Sequence, residues 1–103
     1  MDKPEFYVGR YTRKVDDRNR VTLPAQFCIP DGSVIYFSSS SHSAVCYDER
    51  RFAEVAARFS HSRFKDFQYG RVNDSGRLTL NGLFKSGTEV IIEGRGNNFF
   101  IRR

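Results

Sequence analysis

Two cysteines, Cys28 and Cys46, are too few to make a disulfide framework in a chain of 103 residues, so a packed core has to hold the fold. Both stand among apolar neighbours and are expected as reduced core residues. Long hydrophobic runs are missing as well. The longest, Val34–Phe37 and Ala44–Tyr47, are four residues each, against the ~20 that a membrane-crossing helix needs. The opening Met1-Asp2-Lys3-Pro4-Glu5 is polar and of mixed charge, unlike a secretory signal, and the cytoplasm is the expected compartment. No CxxC, HExxH or GxSxG pattern occurs, nor a phosphate-cradling glycine loop, so the chain lacks the common signatures of catalysis. His42 and Cys46 share one face of a strand but lie far apart on it, and His42 is expected in solvent within a serine-rich loop. No metal, cofactor or enzymatic centre is expected.

The totals that remain are those of a small globular protein. Apolar residues make up 39% and charged ones 28%, a balance that allows one modest core. Ten Phe and five Tyr suit sheets better than helices. The net charge of +5 is uneven: residues 1–48 hold six Lys/Arg against six Asp/Glu, whereas 65–103 hold seven against four. A local basic stretch, Arg10, Arg13, Lys14, Arg18 and Arg20, outweighs Asp16 and Asp17. Such a balance favours polyanionic partners without requiring them.

The strongest signal is an internal repeat. Val15-Asp-Asp-Arg-Asn-Arg-Val-Thr-Leu-Pro-Ala-Gln-Phe27 aligns with Val72-Asn-Asp-Ser-Gly-Arg-Leu-Thr-Leu-Asn-Gly-Leu-Phe84, and six of the thirteen positions are identical. Asn19 and Gly76 coincide, and these are the residue types that best tolerate a left-handed turn conformation. With two extra residues in the first copy, Gly32–Phe37 aligns with Gly87–Ile92, and Ser43–Tyr47 with Asn98–Arg102. Each copy therefore reads as strand, tight turn, short strand, brief helical turn and hairpin. In the first these fall at about 6–15, 20–23, 24–28, 33–37 and 43–47, in the second at about 66–72, 77–80, 81–85, 88–93 and 98–102, with Ser38–His42 and Gly94–Asn97 as hairpin loops.

Between the copies the period changes. Asp48 is placed to cap a helix whose apolar residues Phe52, Val55, Ala56 and Phe59 fall at helical spacing, with Arg50, Arg51, Glu54 and Arg58 on the solvated face. The organisation expected is one domain over 1–103, with repeat one at 6–47, a connecting helix at 48–60 and repeat two at 64–103. Neither half can satisfy its own sheet edges, and closing one around the other removes them. The expected fold is mainly β: a pseudo-twofold barrel from two repeats, with short helical turns and one connecting helix.

These motifs resemble a family. Phe6-x-x-Gly9 followed by Val15-Asp16-Asp17-Arg18-Asn19-Arg20-Val21-Thr22-Leu23-Pro24-Ala25 is similar to the opening of the MraZ family, and more broadly to the AbrB-like swapped-hairpin module. Asn73-Asp74-Ser75-Gly76-Arg77-Leu78-Thr79-Leu80 repeats the pattern, and the closing strands through Phe99-Phe100-Ile101 fit as well. Asn73 departs from the family's aspartate, Asn19 from its first glycine and Asn81 from its second proline. The resemblance implies a swapped-hairpin barrel and a bacterial transcriptional regulator that assembles into rings. It also implies contact with repeated boxes of double-stranded DNA through an Asp-x-x-x-Arg motif, carried here by Asp16 and Arg20 and, with Asn73 in place of the acid, by Arg77. The nucleoid is then the working place.

Arginine suits that role because it neutralises phosphates and pairs in a plane with guanine. Arg20 and Arg77 follow tight turns on strand ends, and Arg18, Arg13, Lys14, Arg10 and Arg71 widen the basic surface. Asp16 is read as the group that orients Arg20 through a charge-assisted hydrogen bond; bracing the turn alone is the plainer alternative. Asp17 and Asp74 are expected to bond their own turns. Two other functions stay open: an AbrB/MazE-like antitoxin-type autorepressor, and a barrel used only for protein assembly. A homo-oligomer is expected in either DNA-binding case, with no membrane partner.

Overall fold

A computed structural model describes residues 6–40, 42–58 and 66–103. The elements in chain order are β1 (Arg10–Lys14), β2 (Arg20–Thr22), β3 (Val34–Ser40), β4 (Ser43–Asp48), α1 (Glu49–Ala56), β5 (Phe67–Arg71), β6 (Arg77–Thr79), β7 (Glu89–Gly94) and β8 (Phe99–Arg102). Six strands form one antiparallel sheet in the order β1-β7-β8-β4-β3-β5, and β2 pairs with β6 in a separate ribbon. Exchanging β1 with β5, β3 with β7 and β4 with β8 returns the same order reversed. The first strand of each repeat thus pairs with the hairpin of the other, which is the swap.

The registers fix where the pseudo-twofold axis runs. In the ribbon Arg20 lies opposite Thr79, Val21 opposite Leu78 and Thr22 opposite Arg77, so the Val21–Leu78 pair maps onto itself. In the sheet Val45 lies opposite Phe100, and these residues also coincide in the repeat alignment. The connecting hydrogen bonds obey the same symmetry. The Leu23 amide donates to the Gly76 carbonyl at 2.9 Å and the Leu80 amide to the Asn19 carbonyl at 2.8 Å.

The core follows from strand alternation, because residues two apart share a face. Among the described residues, the buried hydrophobic side chains are Tyr7 together with Val15, Val21, Leu23, Phe27, Ile35, Phe37, Ala44, Cys46, Val72, Leu78, Leu80, Phe84, Val90, Ile92, Phe99 and Ile101. All but Tyr7 fall into repeat-related pairs, such as Phe27 with Phe84 and Phe37 with Ile92. They make one cluster shared by both repeats. The fold is therefore mainly β, a pseudo-twofold swapped-hairpin barrel.

Several details differ from the sequence expectations. The brief helical turn is a 3-10 helix at Ala25–Phe27 in the first repeat, but 81–85 is not helical. The reason is at Asn81, aligned with Pro24: its φ is +55°, which no proline ring can reach and which stops a right-handed turn from forming. Ser38, Ser39 and Ser40, expected in a loop, continue β3 because they stay paired with Val45, Ala44 and Ser43. The first strand begins at Arg10 rather than 6, although Tyr7 still bridges to Gly96. Cys46 is buried, whereas Cys28 is only half-buried and caps the 3-10 helix in a left-handed conformation.

Helix α1 packs outside the sheet. The Asp48 carboxylate accepts from the Arg51 amide at 2.8 Å, capping its first turn. The Phe52 ring stacks on Tyr36 at 4.2 Å and meets Phe67 edge-on at 5.0 Å. Arg51 departs from the solvated face foreseen for it, with a side chain only 14% exposed. Glu49–Ala56 is shorter than the 48–60 expected; Phe59, Ser60 and His61 lie outside the described residues.

Candidate functional site

The ribbon is the place where the two repeats present the same residues side by side. Its strands read Arg-Val-Thr and Arg-Leu-Thr, and alternation sends Val21 and Leu78 into the core. Arg20, Thr22, Arg77 and Thr79 are left on the outer face, with the two arginines diagonal to each other across the axis.

Each arginine follows a turn closed in the same way. The Asp16 amide donates to the Arg20 carbonyl at 2.9 Å and the Asn73 amide to the Arg77 carbonyl at 3.0 Å. Asp16 Oδ1 accepts from the amides of Arg18 (2.9 Å) and Arg20 (2.8 Å). Asn73 Oδ1 accepts from those of Ser75 (2.9 Å) and Arg77 (3.0 Å). Asn19 and Gly76 supply the left-handed residue, at φ +60° and +74°. The turn-bonding role expected of Asp17 and Asp74 thus belongs to Asp16 and Asn73, whose oxygens face the amides two and four residues on. Asp17 and Asp74 are exposed.

The second side-chain atom separates the two turns. Asp16 Oδ2 accepts from Arg20 Nε at 3.0 Å, and the ion pair leaves the Arg20 side chain 20% exposed. Asn73 offers an NH2 donor at that place and cannot hold a guanidinium. Arg77 is exposed, and its guanidinium has no hydrogen-bond or ion-pair partner among the described residues. Desolvation pushes the Asp16 carboxyl up. The Arg20 and Arg18 amides and the Arg20 guanidinium outweigh it, and the group titrates below the ordinary carboxylate range.

The other basic residues divide. Arg13 is turned to bracing: its Nε donates to the Thr22 carbonyl at 3.1 Å and its Nη1 to that of Thr12 at 2.9 Å, tying β1 to β2. The position aligned with Arg13 is Gly70, where a Cβ would collide with the Thr79 carbonyl; β5 meets β6 directly, without an intervening side chain. Arg18 is exposed on its turn. Lys14 and Arg71 are exposed at the bases of the two turns, on the outer face of the sheet, and Arg71 Nη1 donates to the Gly32 carbonyl at 3.2 Å. Arg10 is paired with Glu93 at 2.9 Å, and Arg95 pairs with the same carboxylate. Those two hydrogen bonds hold Glu93 below the ordinary carboxylate range.

Thr22 and Thr79 were not singled out in the sequence as site residues, although they share the ribbon face with both arginines. The alternation Arg-apolar-Thr in both copies was the signal that could have found them. Asn19 also does more than turn the chain: its Nδ2 donates to the Phe84 carbonyl at 2.6 Å and its Oδ1 accepts from the Gly82 amide at 2.8 Å. It thereby ties the first turn to the second repeat. Among the described residues no three His, Cys, Asp or Glu side chains gather as a metal site, and no helix is long and apolar enough to cross a membrane.

Comparison with known proteins agrees with the motif. No family model matches the chain. The chain is 32% identical over 92 residues to the transcriptional regulator MraZ of Mycobacterium sp. (strain KMS), covering 88% of this chain and 59% of that protein. It is 30% identical over 92 residues to that of Corynebacterium glutamicum (strain R), with the same coverages. To that of Mycobacterium ulcerans it is 38% identical over 85 residues, 82% of this chain and 54% of the relative. It therefore spans little more than half the length of these relatives. With the repeat, the swapped topology and these identities taken together, the chain is similar over most of its length to transcriptional regulators of the MraZ family.

Proposed function

We propose that this chain is a transcriptional regulator that binds double-stranded DNA through the outer face of the β2–β6 ribbon. The observation that carries the reading is the placement of Arg20 and Arg77 on one face of a two-stranded ribbon, related by the pseudo-twofold axis. A B-DNA major groove is about 12 Å wide and admits such a ribbon. Arginine supplies both phosphate neutralisation and planar pairing with guanine O6 and N7. Thr22 and Thr79 occupy the other diagonal of the same face, with hydroxyl and methyl groups that suit base edges. Arg18, Lys14 and Arg71 flank the ribbon as phosphate contacts, and Arg13 serves by fixing β2 rather than by touching DNA. The names of the relatives support a regulator, and repeated DNA boxes would be met by a homo-oligomer of such units.

The test is a titration of the chain against the duplex upstream of its own gene, followed by fluorescence anisotropy. Arg20→Ala and Arg77→Ala are each expected to weaken binding, and the double variant to lose about 100-fold or more, as two charge-assisted contacts disappear. Full binding by a folded double variant overturns the reading.

A further inference from the structure

We propose that the two halves of the ribbon read DNA unequally: Arg20 as a fixed donor to a base edge, Arg77 as an unrestrained contact to phosphate. The duplex this chain takes then has one strictly specified half and one tolerant half. The proposal rests on the DNA-binding reading above and names the kind of DNA element that it requires.

The main chain does not distinguish the halves. Both turns close with the same four hydrogen bonds, and both arginines begin a three-residue strand in symmetric register. The difference at the two arginines themselves is one atom pair. Asp16 Oδ2 holds Arg20 Nε at 3.0 Å, which fixes the plane of the guanidinium and leaves its terminal nitrogens to a ligand. Pairing with guanine demands such a plane, because two donors must meet O6 and N7 together. The rotamer freedom that this ordering removes is already lost in the folded chain rather than at binding. The same carboxylate offsets the charge of Arg20, so its pull on a phosphate at a distance is weakened.

Arg77 has the opposite properties. Its Asn73 neighbour presents an amide donor on that side, and its guanidinium is exposed without a partner among the described residues. An uncompensated, unordered cation loses least by meeting a phosphate, which tolerates many approach directions and carries no sequence information. Asp16 is a positioning residue in this scheme; it acts on DNA only through Arg20.

The experiment uses duplexes selected by the wild-type chain from a pool of randomised sequence, each then altered one base pair at a time across both halves. Wild type is expected to lose about tenfold or more per change in one half and less than about threefold in the other. Asp16→Asn should bring the strict half down to the tolerant level and steepen the slope of log affinity against log salt by up to about one, as Arg20 becomes a second uncompensated cation. Asn73 shows that an asparagine closes this turn, so the variant is expected to fold. Arg77→Ala should reduce that slope by about one while the strict half stays strict. Asn73→Asp should make the tolerant half strict. Equal discrimination in both halves of the wild-type duplex, or unaltered discrimination in Asp16→Asn, overturns the proposal and leaves DNA binding standing. A wild-type chain that selects no duplex at all removes the DNA-binding reading and the proposal together.

Discussion

Val21 lies directly opposite Leu78 at the centre of the ribbon, and the two are 1% and 0% exposed. One comes from each repeat, and the pseudo-twofold axis passes between them. The outer face that carries the arginines is therefore seated on a contact that neither repeat can make alone.

Leu78→Ala should cost about 2–5 kcal/mol, the range for deleting a fully buried leucine side chain. Because the cavity opens at the seam between the repeats, unfolding in urea should stay a single transition with a lowered midpoint. A loss below about 1 kcal/mol would mean that the ribbon is not anchored through this pair.

The Tyr7 hydroxyl donates to Asp48 Oδ2 at 2.5 Å, while Asp48 Oδ1 caps α1. Tyr7 thus ties the segment before β1 to the start of the helix, and its ring packs edge-on against Phe27 and Phe99. Tyr7→Phe keeps the packing and removes the bond, and is expected to cost about 1–3 kcal/mol. Burial, then the hydrogen bond to Asp48 and its negative charge, push the Tyr7 phenol above its ordinary value. A raised value in the folded state gives stability that is present below about pH 10 and lost as pH rises through the folded value. Melting from pH 9 to 11 should fall less steeply in Tyr7→Phe than in wild type; parallel curves would deny the phenol this role.

Asp16 works in the opposite sense. Its lowered value in the folded chain means that its contribution is complete above the ordinary carboxylate value of about 3.9 and is lost as pH falls through the folded one. The gap in melting temperature between wild type and Asp16→Asn should be open at pH 7 and close towards pH 2. A gap that persists in acid would show that the carboxylate charge is not what the turn uses.

Asn81→Pro should destabilise the chain by more than about 1 kcal/mol, since φ +55° is closed to proline. Asn81→Gly should come close to neutral, relieving the left-handed strain while giving up the Nδ2 bond to the Tyr69 carbonyl. Equal stability of the two variants, measured by urea unfolding, would contradict the conformation at this position.

Much of this architecture was legible in the sequence because a repeat carries its own check. Val15 with Val72, Phe27 with Phe84 and the short Arg-apolar-Thr strands recur in step, and their strands and burial follow the alignment. The Asp16–Arg20 contact was also legible, since it joins residues four apart across one turn. The failures share a different origin. Asn81 departs from Pro24 through its left-handed backbone, a conformation that asparagine tolerates but does not require. Arg13 is drawn onto the Thr22 carbonyl by the approach of β1 to β2, and Gly70 lets β5 approach β6 in the same region. Both are tertiary facts, invisible to spacing along the chain. The burial of Arg51 is likewise set by what the helix rests on rather than by its own periodicity.

The swap has a consequence for how the chain reaches its fold. Arg10 finds Glu93 across 83 positions of sequence, and β2 has no partner until β6 exists. A ribosome that has delivered the first repeat and α1 has delivered the β3–β4 hairpin but no place for β1 or β2. Sheet closure must wait for Glu89–Gly94, and the ribbon waits for Arg77–Thr79. So many distant pairings put the chain on the slow side for its size, and the first two strands stay unpaired through most of synthesis.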